Sequence, residues 1–90
     1  MSWSRQLGTG GQTPRTVRFV DAARARREEF FWSRRAVAAM AERRSPGTEL
    51  PETKIRDMEL GRRATLTLDQ AMAWAGGLGT TVKELLGEEI

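Results

Sequence analysis

The stretch from Leu50 to Arg63, LPETKIRDMELGRR, decides how this chain is read, because it sets seven charged side chains around Ile55 and Met58. Residues three apart share one side of a helix. A helix over 50–60 therefore turns Leu50, Ile55 and Met58 toward a core and leaves Glu52, Thr53, Arg56 and Asp57 on the opposite side. Lys54 falls at the flank, and Arg62 and Arg63 lie just past the end. Pro51 is tolerated near the helix start, where its missing N–H is not needed. Gly61 supplies the stop.

Upstream, Ser33 has the chemistry of an N-cap, since its hydroxyl can accept a free backbone N–H at the start of RRAVAAMAERR. That second helix ends at Ser45, Pro46 and Gly47. Before it, Val17, Val20 and Ala23 recur at helical spacing from Thr16 until FFWS breaks the pattern. Downstream, Thr67 and Gln70 form a capping box ahead of Ala71, Trp74, Ala75 and Leu78. Gly76, Gly77 and Gly79 then lead to a second box, Thr81 with Glu84, opening a short helix that presents Val82, Leu85 and Leu86. Five short helices with no strand-like alternation predict an all-α orthogonal bundle. The expected domain is 16–87, preceded by a Gly-rich flexible arm over 1–15 and followed by a tail at 88–90. GTGG in the arm lacks the Gly-Lys-Ser/Thr of a phosphate-cradling loop and reads as linker.

Composition bounds the function. Ninety residues support one small domain. Cysteine and histidine are absent, which removes disulfides, thiol nucleophiles, imidazole bases and the usual zinc ligands. An enzyme pairing Asp69 with Glu59 is the remote alternative, since nothing marks a pocket that would shift their pKa values. No enzyme activity, cofactor, metal or small-molecule ligand is expected. No apolar run approaches the roughly 20 residues needed to span a bilayer, so the expectation is a cytoplasmic, nucleoid-associated protein. The net charge of +3 is unevenly placed: residues 1–63 hold 14 Lys/Arg against 8 Asp/Glu, and 64–90 hold 1 against 4. That asymmetry suits a surface facing a polyanion.

In order along the chain, ARREEFFWS, SRRAVAAMAERR, TKIRDMELGRR and TLTLDQAMAWAGGLGTTVKELLG resemble the Cro/repressor-type helix-turn-helix family, a lambda-repressor-like domain. The likeness runs from about Val17 to Gly87 and includes a Leu-Gly-x-Thr-Val-x-x-Leu-Leu closure from Leu78 to Leu86. It implies a transcriptional regulator that binds double-stranded DNA, as a homodimer, with residues 51–60 in the major groove. Glu52, Thr53, Arg56 and Asp57 then read bases, and Arg34, Arg35, Lys54, Arg62 and Arg63 touch the backbone, with Arg5 and Arg15 of the arm. Arg27 and Glu59 are expected to form a structural ion pair, and Val37 with Ala38 to let the two DNA-facing helices pack closely. Thirteen Arg against two Lys fits a GC-rich genome and, with the likeness, a phage-encoded or actinobacterial origin.

The chain departs from this family in two places. Sixteen residues separate Ala38 from Ile55, about six or seven more than a compact form whose turn is about 3–4 residues. An extended loop between the second and third helices is therefore expected, with solvent exposure as its simplest role. Phe31 stands where the family favours glycine, so the first helix is expected to end without a left-handed residue there. Phe30 and Phe31 cannot both be buried beside Trp32 in so small a core. These aromatics, with acids among the proposed base readers, support a rival reading: an antitoxin-like or phage-encoded module on the same fold that binds a protein.

Overall fold

A computed structural model of the protein describes residues 14–62 and 65–87, and within them five helices follow one another with no strand. The first, α1, spans Pro14–Glu29. It begins with proline, whose fixed φ and absent N–H suit the first helical position. Arg15, expected on an arm, is therefore in the first turn of α1, while Arg5 and Arg63 lie outside the described residues. The helix buries Thr16, Phe19, Val20 and Ala23, whereas Val17 is exposed, so the inward face is rotated from the one predicted.

The end of α1 also differs from expectation. Phe31 does adopt the left-handed region, at φ 57°. Its N–H donates to Glu28 O at 3.1 Å and the Trp32 N–H to Arg27 O at 3.0 Å. These are the paired bonds of a Schellman motif, which satisfy carbonyls the last turn would leave open. A side chain in this conformation costs about 1–2 kcal/mol, and Phe31 recovers none of it by burial, being 93% exposed. Phe30 stacks on Trp32 with ring centroids 4.9 Å apart, and both remain partly exposed.

Helix α2, Arg34–Arg44, opens on Ser33, whose hydroxyl accepts the Ala36 N–H at 3.0 Å. The connection to α3, Glu52–Glu59, runs over 45–51 and turns at Gly47, φ 90°. It is more than a solvated loop. Leu50 is buried, and Gln70 Nε2 donates to Glu49 O at 2.9 Å, so the last residues before α3 are pinned.

Helix α4, Leu68–Gly77, has the complete Thr67–Gln70 capping box. Gly76 and Gly77, predicted as connection, form its last turn. The reason is a close helix crossing: a Cβ on Gly77 would lie 2.8 Å from Val37 O and 3.0 Å from Ala41 N. Small residues bring backbones together here, so the tight approach joins α2 to α4 through Ala41. It is distinct from the α2–α3 packing expected at Val37 and Ala38, of which Val37 is buried and Ala38 partly buried against the core.

The last helix, α5, spans Val82–Leu86. Its box is half formed: Thr81 Oγ1 accepts the Glu84 N–H, but the Glu84 carboxylate accepts from the Thr80 hydroxyl at 2.7 Å. The core is centred on Trp74 and Phe19, packed edge to face at 5.6 Å, with Ile55, Met58, Leu66 and Leu78 fully buried around them. Trp74 Nε1 is buried with no hydrogen-bond partner among the described residues. No helix among them is long and apolar enough to cross a membrane.

Candidate nucleic-acid interface

Eight residues are too few for a helix to persist alone in water, so α3 takes its stability from what it packs against. Ile55 and Met58 fix its inner side. Its C-terminal end is fixed by charge. Glu59 accepts from Arg27 Nε at 2.8 Å, from Arg27 Nη2 at 2.9 Å and from Arg34 Nε at 2.9 Å. The Glu59 side chain is 0% exposed and that of Arg27 13%. Burial pushes the carboxyl upward, but hydrogen bonds from Arg27 and Arg34 and the charge of both outweigh it, holding Glu59 below the ordinary glutamate range. The bond to Glu59 correspondingly raises Arg27, against the opposing effect of its own burial.

This clamp joins three elements, since Arg27 comes from α1, Arg34 from the start of α2 and Glu59 from the end of α3. Arg34, expected as a backbone contact, places its Nε on this buried carboxylate while its side chain stays partly exposed. Lys54, expected at the groove flank, is half-buried and donates through Nζ to Thr65 O, tying α3 to the segment before α4.

The remaining residues of the expected surface do come together. Glu52, Thr53 and Arg56 are exposed along one side of α3, and Arg62 follows it. Asp57 is half-buried and holds two arginines, Arg62 Nη1 at 3.1 Å and Arg56 Nε at 3.6 Å. Solvated pairs of this kind are worth about 0–1 kcal/mol, so both guanidinium groups can be redirected to a ligand at little cost. Arg35 is exposed at the start of α2, beside a shallow depression shared with Glu42, Glu49, Leu50 and Pro51. The surface is thus zwitterionic rather than basic.

Several arginines counted toward a polyanion-facing surface have other partners. Arg26 Nε donates to Leu78 O at 2.7 Å, at the end of α4. Arg24 Nη1 reaches Glu59 O at 3.5 Å, and Arg27 Nη1 donates to Trp32 O at 3.0 Å. Helix C-termini present open carbonyls and partial negative charge, which cations offset. No spacing within α1 announces the contacts of Arg24 and Arg26, whose acceptors lie 35 and 52 residues away, whereas Trp32 is only five residues from Arg27. Comparison of the chain with protein-family models, with curated proteins and with solved structures finds no match.

Proposed function

We propose that the protein binds double-stranded DNA as a Cro/repressor-like transcriptional regulator, with α3 entering the major groove. The observation that carries this reading is the polar side of α3, open to solvent at Glu52, Thr53 and Arg56 while the far end is clamped through Glu59. Arginine can pair bidentately with guanine, and a carboxylate can accept from cytosine N4. Asp57 is matched by two arginines, which reduces its repulsion of phosphate. Among the described residues Arg35, Arg56 and Arg62 remain exposed as cations near α3, and they are the proposed sources of affinity.

A salt titration on selected duplexes tests this. About three phosphate contacts per copy give a log–log slope near −3, and about −5 for two copies on one site. Arg56→Ala should cost about 1–3 kcal/mol on the preferred site and relax preference at one base pair. Absence of duplex binding above the non-specific level at low salt would end the proposal. A protein-binding module is the second reading, favoured by Glu42, Glu49 and Glu52 around the leading end of α3. It predicts that failure.

A further inference from the structure

Gly76, Gly77 and Gly79 stand close together at the end of α4 and contribute no side chains. With Val37 and Met40 of α2 and the indole of Trp32 they line an apolar hollow of about 260 Å³ that takes in no residue of α3. Its shape is set before anything enters it. A Cβ on Gly77 would meet α2 backbone atoms at 2.8 and 3.0 Å, so the helix crossing itself fixes that part of the lining. Trp32 is stacked on Phe30 at 4.9 Å, and Arg26 covers the Phe30 ring at 5.1 Å, which braces the aromatic wall.

One charged side chain lines the hollow. Arg44, the last residue of α2, lies along Gly76, where a Cβ would be 3.9 Å from both its Cβ and its Cδ. Its stem thus belongs to the apolar lining, and its guanidinium forms no ion pair among the described residues. Toward Gly79 the end of α4 carries partial negative charge, but Arg26 already bonds Leu78 O and approaches Gly79 O there. Arg44 is therefore the cation left open to a ligand.

We propose that this hollow binds a small aromatic carboxylate, its ring against Trp32 and the glycines and its acid group on the Arg44 guanidinium. An apolar cavity of about 150 Å³ holds one benzene ring, so this hollow has room for a second ring fused to the first. Such a ring gains from stacking on an indole and from a thioether at its edge, which Met40 supplies. The planar fork of arginine pairs with a carboxylate through two parallel hydrogen bonds. A single unpaired cation in an otherwise apolar lining favours an anion over a neutral or cationic molecule of the same shape. A standard protein partner covers about 800 Å² on each side, whereas one preformed hollow with one charge matches a ligand of one or two rings.

This inference does not rest on the DNA reading, and its test contains no DNA. Titrating the full chain with naphthoate should give saturable NMR shifts at the Gly76, Gly77 and Gly79 amides and the Trp32 indole, with a dissociation constant at or below about 1 mM. The amides of Glu52, Thr53 and Arg56 should not move. Arg44→Gln should weaken naphthoate at least about tenfold, yet change the affinity of its neutral amide, naphthamide, less than about twofold. Ala36→Leu, at an exposed helical position on the rim, should fill the hollow and abolish binding of both probes while the thermal midpoint holds. Failure of naphthoate to saturate by about 5 mM would overturn the proposal and leave this face to a larger partner. Shifts centred elsewhere, an Arg44→Gln variant that binds naphthoate normally or loses both probes equally, or an Ala36→Leu variant that still binds would overturn it as well.

Discussion

Replacing Glu59 with glutamine tests the clamp on α3 most directly. The side chain is 0% exposed and accepts three N–H bonds, two from an arginine that is itself only 13% exposed. Glutamine keeps the shape and one acceptor but turns an amide toward a guanidinium and leaves Arg27 without its counter-ion. Removing one partner of a buried pair costs about 3–5 kcal/mol. The retained carbonyl favours the lower figure. For 90 residues the whole stability is about 5–13 kcal/mol, so roughly a quarter to three fifths is lost. In urea melts with a slope near 1.5 kcal/mol/M, the midpoint should fall by about 2 M. The pH dependence follows with a definite sign. Glu59 is held below its unfolded value, so below about pH 4.3 the unfolded chain binds more protons and the contribution is lost as pH falls through the native value. Glu59→Gln should flatten that limb. Glu28→Gln, on a half-exposed pair with Arg24, should cost at most about 0.5 kcal/mol. Equal costs for the two variants, or an unchanged acid limb in Glu59→Gln, would refute the reasoning.

Three further outcomes can be measured by thermal or chemical unfolding. Phe31→Gly should raise stability by about 0.5–1 kcal/mol, the relief of left-handed strain less the entropy glycine adds to the unfolded chain. A loss of stability would mean that Phe31 packs against something. Gly77→Ala should destabilise by about 1–2 kcal/mol despite its better helix propensity, because the new methyl meets backbone atoms of α2 that cannot yield. Gln70→Ala should cost about 1–2 kcal/mol, more than an isolated cap, since the same side chain also tethers Glu49.

Local chemistry is what the sequence makes legible. Ser33 and Thr67 cap helices because their hydroxyls reach N–H groups three residues on, and Trp74 is buried because its neighbours repeat at helical spacing. The inward side of α3 is legible for the same reason. Tertiary destinations are not. Arg34 and Lys54 look like free cations in a string of letters, yet one meets a buried carboxylate and the other a carbonyl eleven residues away. Gly76 and Gly77 look like a linker until α2 is known to cross there. Phe31 reads as a misfit at a helix end, and the turn forms around it regardless, because two backbone hydrogen bonds outweigh its strain.

The arginine anchors of α1 bear on the thirteen-to-two ratio of Arg to Lys, which on composition alone looks like a matter of codon usage. Arg26 bonds Leu78 O, approaches Gly79 O at 3.5 Å and covers the Phe30 ring at 5.1 Å, and Arg27 holds a carboxylate by two nitrogens and a carbonyl by a third. A planar fork can do all of this at once; a single ammonium of equal charge cannot. Recoding positions 26 and 27 as lysine would therefore preserve net charge and still loosen the joints between α1, α3 and α4, so part of the bias is geometric rather than genomic.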